Sequence, residues 1–430
     1  MNRQALTPSS ALPLAYFAWA HAGLALALLV LVLDPALPGG YFLHPRMVAI
    51  VHLVTLAWIT GSILGAFYIV APLALGMPLP VRWPDWLLFV AFLVGSSGMV
   101  THFWIGQYAA MAWGGLLAVL AVVWLGSRSV LVMRRATAPW PVLLHVALAF
   151  LNFSTASGLG MAIGFDRAYG WFGLSPRAAA FAHAHLAAIG WPLMMVIGLA
   201  YRLVPMFLPA RMPTGSRLAM SAVLIELGLG ALVVTWLAWP AWLPVGALLI
   251  VAGLASFISH MRAVVRQKVP RPPALPSRDW STWQTHVAFV WLIVAVGLGV
   301  TLSLLASGPE PTRVAWIYGV AGLVGFIAQI VVGIQGRLVP LYAYYRAMAA
   351  LDGQPPVRAA NELPTARFAR PIFVLWTIGV PWLAWGLAAE DVASIRLAST
   401  VLMAGVGTSA AYLVYLMRAA RETTVASCRS

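Results

Sequence analysis

Five side chains stand where a lipid-depth helix rarely carries such groups: His52, His102, His183, His185 and Glu226. Imidazole is a common protein ligand for haem iron, copper and zinc, and an ionisable group inside a membrane span marks a functional site by default. Residues 183–185 read His-Ala-His. Two residues along an α-helix turn the side chain by about 200°, so the two rings enter different helix interfaces. The competing role for each ring is a hydrogen bond to a Ser, a Thr or a backbone carbonyl. Glu226, in "LIELGLGALVV", either relays protons or is a neutral acid hydrogen-bonded within the bundle.

The elements that position these groups follow from composition. The chain has 430 residues, of which 62% are hydrophobic and 9% charged, and its mean hydropathy is +0.89. Soluble domains carry about 25% charged residues, so a soluble globule is excluded. A hydrocarbon core of about 30 Å takes about 20 apolar residues to cross. Twelve runs qualify, near 12–33, 47–75, 86–105, 108–127, 140–163, 178–201, 218–239, 242–260, 281–306, 314–336, 370–388 and 395–417. Backbone groups in lipid must pair internally, which gives an all-α polytopic membrane protein with twelve transmembrane helices in one transmembrane domain.

Orientation comes from basic residues. With the connections alternating sides, the amino terminus, the even-numbered connections and the carboxyl terminus hold 21 of the 26 Lys and Arg. The positive-inside rule makes that side cytoplasmic and predicts a multi-pass protein of the bacterial inner membrane with both termini inside. The net charge of +15 is then a topology signal with some attraction to membrane lipid, and it calls for no nucleic-acid partner. No cleavable signal peptide is expected, because the first apolar run ends in "DPALPGG". The single Cys428 excludes a disulfide framework, a thiolate cluster and a Cys-x-x-Cys-His haem attachment. The Pro-rich stretches "VRQKVPRPPALPSRD" and "LDGQPPVRAANELPTAR" are expected to be extended cytoplasmic connectors.

Three spans repeat one pattern. Pro72, Pro205 and Pro340 each follow by twenty residues His52, His185 and Val320, with Gly65, Gly198 and Gly333 at the fourteenth position. "RLVP" closes the second and third copies. The period equals four spans, an even number, so the copies share one orientation. Three pseudo-equivalent four-helix repeats are expected, about 1–137, 138–270 and 271–430. His52, His102, His183 and His185 then lie at one depth near the outer surface. His145, His260 and His286 fall at cytoplasmic helix ends, where interfacial roles are expected, and His21 lies mid-span with no obvious partner.

"HAHLAAIGWPLMMVIGLAYRLVP" resembles the tenth helix of the haem-copper oxidase superfamily, closest to the C-type cytochrome oxidases and nitric oxide reductases. The shared features are His-x-His, Gly190-Trp191, Gly198, Tyr201 and Pro205. "HLVTLAWITGSILGAFYIVAP" resembles the sixth helix of that family and "THFWIG" the seventh, His102 following His52 by fifty residues. The match covers the first eight spans. It implies that His183 binds a high-spin haem and His185 a low-spin haem, and that His52 and His102 bind the distal metal. Arg46, Arg167 and Arg177, on the outer side, either pair with haem propionates, since a guanidinium fork suits carboxylates, or are interfacial anchors.

The chain departs from that family at several positions. Thr101 and Phe103 flank His102 where the family has an adjacent His pair. Leu56 and Thr60 stand where nitric oxide reductases carry glutamates, and Val320 takes the third repeat's ligand position. One b-type haem is therefore expected, with His183 or His185 on one face and His52 or His102 on the other, or else with copper on His52 and His102. The function implied is a haem-binding oxidoreductase subunit acting on oxygen or nitric oxide, with cytochrome c or quinol as donor and further membrane subunits as partners. A haem- or copper-binding accessory, sensor or assembly protein is the alternative, and a transporter on a threefold bundle is a third reading.

Overall fold

The computed structural model describes residues 8, 10–39, 41–269, 279–305, 309–351, 354 and 365–427. The central parts of both Pro-rich connectors, and Cys428, lie outside them. Among the described residues, twelve helices are long and apolar enough to cross a membrane. They are α1 (Leu12–Leu33), α2 (Pro45–Ala74), α3 (Trp83–Trp104), α4 (Tyr108–Met133), α5 (Trp140–Tyr169), α6 (Pro176–Phe207), α7 (Ser216–Leu237), α8 (Leu243–Arg266), α9 (Trp280–Leu304), α10 (Thr312–Ala350), α11 (Ala366–Ala388) and α12 (Val392–Ala419). The all-helical membrane fold expected from composition is thus present.

Proline opens six of the spans in the first turn, where its missing N–H costs nothing. Gly170, at φ +70°, ends α5, and the Asp166 carboxylate just before it accepts from the backbone N–H groups of Phe172, Gly173 and Leu174.

The chain forms two compact units. One takes Met1–Leu73, Pro273–Leu298 and Ala306–Ser430, and the other Ala74–Pro272 with Gly299–Leu305. These units cut across the repeats expected from sequence, since α3 and α4 go with α5 to α8. In the second unit the backbone N–H of Thr137 donates to Leu75 O, and that of Val269 to Pro209 O. Even-numbered connections therefore meet pairwise, as alternating crossings require.

Lipid tails are as apolar as leucine, so helix pairs in a membrane gain most from close backbone approach. Small residues supply it here. Gly95 and Gly114 bring α3 against α4, Gly228, Gly246 and Gly253 join α7 to α8, and Gly379 and Gly386 join α11 to α12.

Spans α2, α6 and α10 share one construction. Each contains a π-helical segment, Leu53–Thr60, Ile189–Leu193 and Val320–Ala328 respectively. Next comes a glycine at the crossing with the preceding span. A Cβ on Gly65 would lie 3.0 Å from Pro13 O on α1, one on Gly198 would lie 2.6 Å from His145 Cβ on α5, and one on Gly333 would lie 2.5 Å from Thr285 Oγ1 on α9. An internal proline follows in all three. In α6 the π turn also holds Pro192, and the wider i→i+5 spacing relieves the clash between that ring and the preceding turn. The π turns of α2 and α10 contain no proline.

Candidate functional site

His183 and His185 stand in the α-helical turn of α6 that precedes its π segment, on either side of exposed Ala184. Their directions differ as the His-Ala-His spacing requires. His183 Nδ1–H donates to Ala156 O on α5 at 2.9 Å, and the ring lies so close over Gly160 that a Cβ there would sit 2.9 Å from Cε1. His185 Nδ1–H donates to Phe181 O at 2.8 Å, with its ring 6.3 Å from that of Trp236 on α7. Ala156, Leu186 and Leu229 form a small apolar core between α5, α6 and α7 and support this turn.

His102 is in the same unit, at the end of α3, and its Nδ1–H donates to Gly98 O at 2.7 Å. His52 belongs to the other unit. It is the residue just before the α2 π segment, and its Nδ1–H donates to Val48 O at 2.8 Å.

The four rings therefore share one contact. A carbonyl oxygen only accepts, so Nδ1 carries a proton in each, and in a neutral ring Nε2 would hold the lone pair. A backbone carbonyl holding the other ring nitrogen is the usual support of a metal-ligating histidine, because it fixes tautomer and orientation. In donor chemistry the four residues fit haem iron or copper. Among the described residues no three His, Cys, Asp or Glu side chains converge as a metal-binding group, whereas a haem iron takes one or two protein ligands.

Glu226 on α7 accepts from Asn152 Nδ2 on α5 at 2.9 Å. Asn152 is buried, and Gly190 in the α6 π segment makes room for it, since a Cβ there would lie 2.6 Å from Asn152 Cβ. Of the two roles expected for Glu226, the hydrogen-bonded one has its partner. Arg167 stacks over the Tyr108 ring at 5.3 Å, the geometry of an interfacial anchor.

The interfacial role expected of His145 is overturned. It is fully buried, its Nδ1–H donates to Pro141 O at 2.6 Å, and its Nε2 lies 2.9 Å from Ser221 Oγ. His21 likewise has a partner, because Ser409 Oγ lies 3.1 Å from its Nε2. Asp85 escaped the sequence reading, which began the third span one residue after it. It is 1% exposed, caps α3 by accepting from Arg82 N, and pairs with Arg128 and the Trp124 indole. Its signal was "RWPDW", an acid in a first turn three residues after a basic N-cap.

The chain matches no family model and no curated protein. Fold and site together define an all-helical, membrane-spanning protein.

Proposed function

We propose that this chain is a haem-binding membrane oxidoreductase subunit of haem-copper oxidase type, acting on a small diatomic, oxygen or nitric oxide. The observation that supports the reading is that His52, His102, His183 and His185 each tie Nδ1 to a backbone carbonyl, which leaves Nε2 as the nitrogen that would ligate a metal. His183 or His185 would hold one haem b. His52 or His102 would be a further ligand to it, or the two would hold copper. When bound, haem supplies one-electron chemistry and a coordination position for a diatomic. The protein's part is to fix ring tautomer and direction through Ala156 O, Phe181 O, Val48 O and Gly98 O. Cytochrome c or quinol delivers the electrons, because the chain carries no motif for a further electron-carrying cofactor.

Three four-helix repeats underlie the arrangement, supported by the glycine crossings of α2 on α1, α6 on α5 and α10 on α9. The basic residues favour the bacterial inner membrane with both termini cytoplasmic.

A second reading, a haem- or copper-binding accessory, sensor or assembly protein, is favoured by Val320 at the third repeat's ligand position and by the hydrogen bond that holds Glu226.

The variants His183→Ala, His185→Ala and His52→Ala test the ligand assignment. Loss of the Soret band is expected for the proximal histidine, while His286→Ala keeps it. An unchanged Soret band in both His183→Ala and His185→Ala ends the assignment. Turnover of oxygen or nitric oxide by the intact protein separates the enzyme from the accessory reading.

A further inference from the structure

The first unit contains a pocket that the histidine ligands do not touch. It is a partly open cleft between α1, α9, α10, α11 and α12, with a cavity volume of about 30 Å³. Its polar lining is Ser281, Gln284, Gln335, His21, Ser409 and Tyr412, without a charged side chain. Trp280 and Ser281 lie at the start of α9, beside an ion pair of Asp279 with Arg337 and the Arg370 guanidinium stacked over the Trp280 ring. This end of the pocket is the charged, aqueous end of the helices. His21 lies nine residues into α1, roughly 14 Å along its axis at 1.5 Å per residue. The pocket therefore runs from a polar helix end to mid-span.

Its wall carries an unmet demand. Gln284 is 2% exposed, and among the described residues neither its amide nitrogen nor its oxygen has a hydrogen-bond partner. Gln335 donates to Ser62 Oγ at 3.0 Å, and the His21–Ser409 pair completes the polar wall. An unpaired amide in an apolar surrounding costs several kcal/mol, and lipid tails supply neither donors nor acceptors. Whatever satisfies Gln284 must enter through the pocket. It must be small, uncharged, and able both to donate and to accept. Water meets these conditions, and a buried water site needs two to four polar partners, which this wall supplies.

We propose that this pocket is a hydrated inlet, in which ordered water enters from the Asp279–Arg337 end and hydrogen-bonds Gln284, Gln335 and the His21–Ser409 pair. Water thereby reaches mid-span on this side of the bundle. The inference does not depend on haem binding.

Gln329 on α10 provides an internal contrast. It is 0% exposed, both its amide atoms lack partners among the described residues, and it does not line the pocket. Replacing a dry, unpaired amide by an apolar side chain of similar shape stabilises, whereas removing the partner of a bound water does not. Gln329→Met should raise the melting temperature of the purified protein, and Gln284→Met should lower it. If Gln284→Met raises it as Gln329→Met does, the pocket is dry and the proposal fails.

A second readout uses thiol chemistry, in which the reactive thiolate forms only where water reaches. In a Cys428→Ser background in nanodiscs, a charged methanethiosulfonate reagent should modify Ser281→Cys and Ser409→Cys at least about tenfold faster than Ala295→Cys, which is buried on α9 away from the pocket. Equal, slow labelling of all three overturns the inlet. Should Ser409→Cys fail to assemble, the melting comparison decides alone.

Discussion

Two buried histidines, one in each unit, meet their hydrogen-bonding needs in different ways. His145 on α5 and His21 on α1 both donate from Nδ1 to the carbonyl four residues back, and both turn Nε2 to a serine hydroxyl on another helix. Around His145 the set is closed. Tyr201 and Ser221 hydroxyls lie 3.0 Å apart, and the single Ser221 proton has His145 Nε2 and Leu218 O as its acceptors. Around His21 the same histidine–serine pair forms the wall of a pocket beside an amide that has no partner among the described residues. One polar pair in an apolar bundle can thus be sealed by neighbouring side chains or left at the edge of a space that water fills.

The contrast is broken or sharpened most strongly by alanine at the two histidines. His145→Ala removes a buried ring, leaves Ser221 without its imidazole and opens a cavity, so a loss on the order of 3 kcal/mol is expected. His21→Ala should cost about 1–2 kcal/mol, because water from the adjoining pocket replaces the ring's hydrogen bond. Denaturant titration in detergent reads both, and equal losses would remove the distinction between sealed and open.

The next largest effect concerns the crossing that presses α6 on α5. Gly198→Ala sets a methyl 2.6 Å from His145 Cβ, and overpacking of about 1–3 kcal/mol should follow. Gly230→Ala on α7 meets nothing within 4 Å and should be neutral or gain up to about 1 kcal/mol from helix propensity. A neutral Gly198→Ala would mean that the crossing is looser than its geometry.

Glu226→Gln keeps an oxygen to accept from Asn152, so stability should change by no more than about 0.5 kcal/mol. If Glu226 also relays protons, turnover slows about a hundredfold with the absorption spectrum intact, and unchanged turnover leaves it structural only. The smallest change is expected for Ser409→Ala, within about 0.5 kcal/mol, since water can donate to His21 Nε2 in place of the hydroxyl.

Hydropathy located all twelve spans, some to within a few residues, as for 47–75 against Pro45–Ala74 and 370–388 against Ala366–Ala388, whereas α10 runs to Ala350, well past the expected 336. It did so because lipid thickness sets length and apolar content directly. Helix rotation was beyond it. A helix that is apolar all round does not reveal which side faces a neighbour, so the pairing of His145 with Ser221, and of His21 with Ser409, was invisible. The π segments were equally hidden, since Pro192 marks only one of the three. Spacing did better where geometry is local. The divergence of His183 and His185 toward α5 and α7 follows from two residues of helix, and the common period of Gly65, Gly198 and Gly333 corresponds to three helix crossings.

Whether His52, His102, His183 and His185 hold haem is tested most directly by the haem content of the purified chain. The pyridine haemochrome of protein isolated from a haem-replete host should give about one haem b per chain. Protein that is folded and pure but contains neither haem nor copper would contradict the account and return His52, His102, His183 and His185 to packing roles.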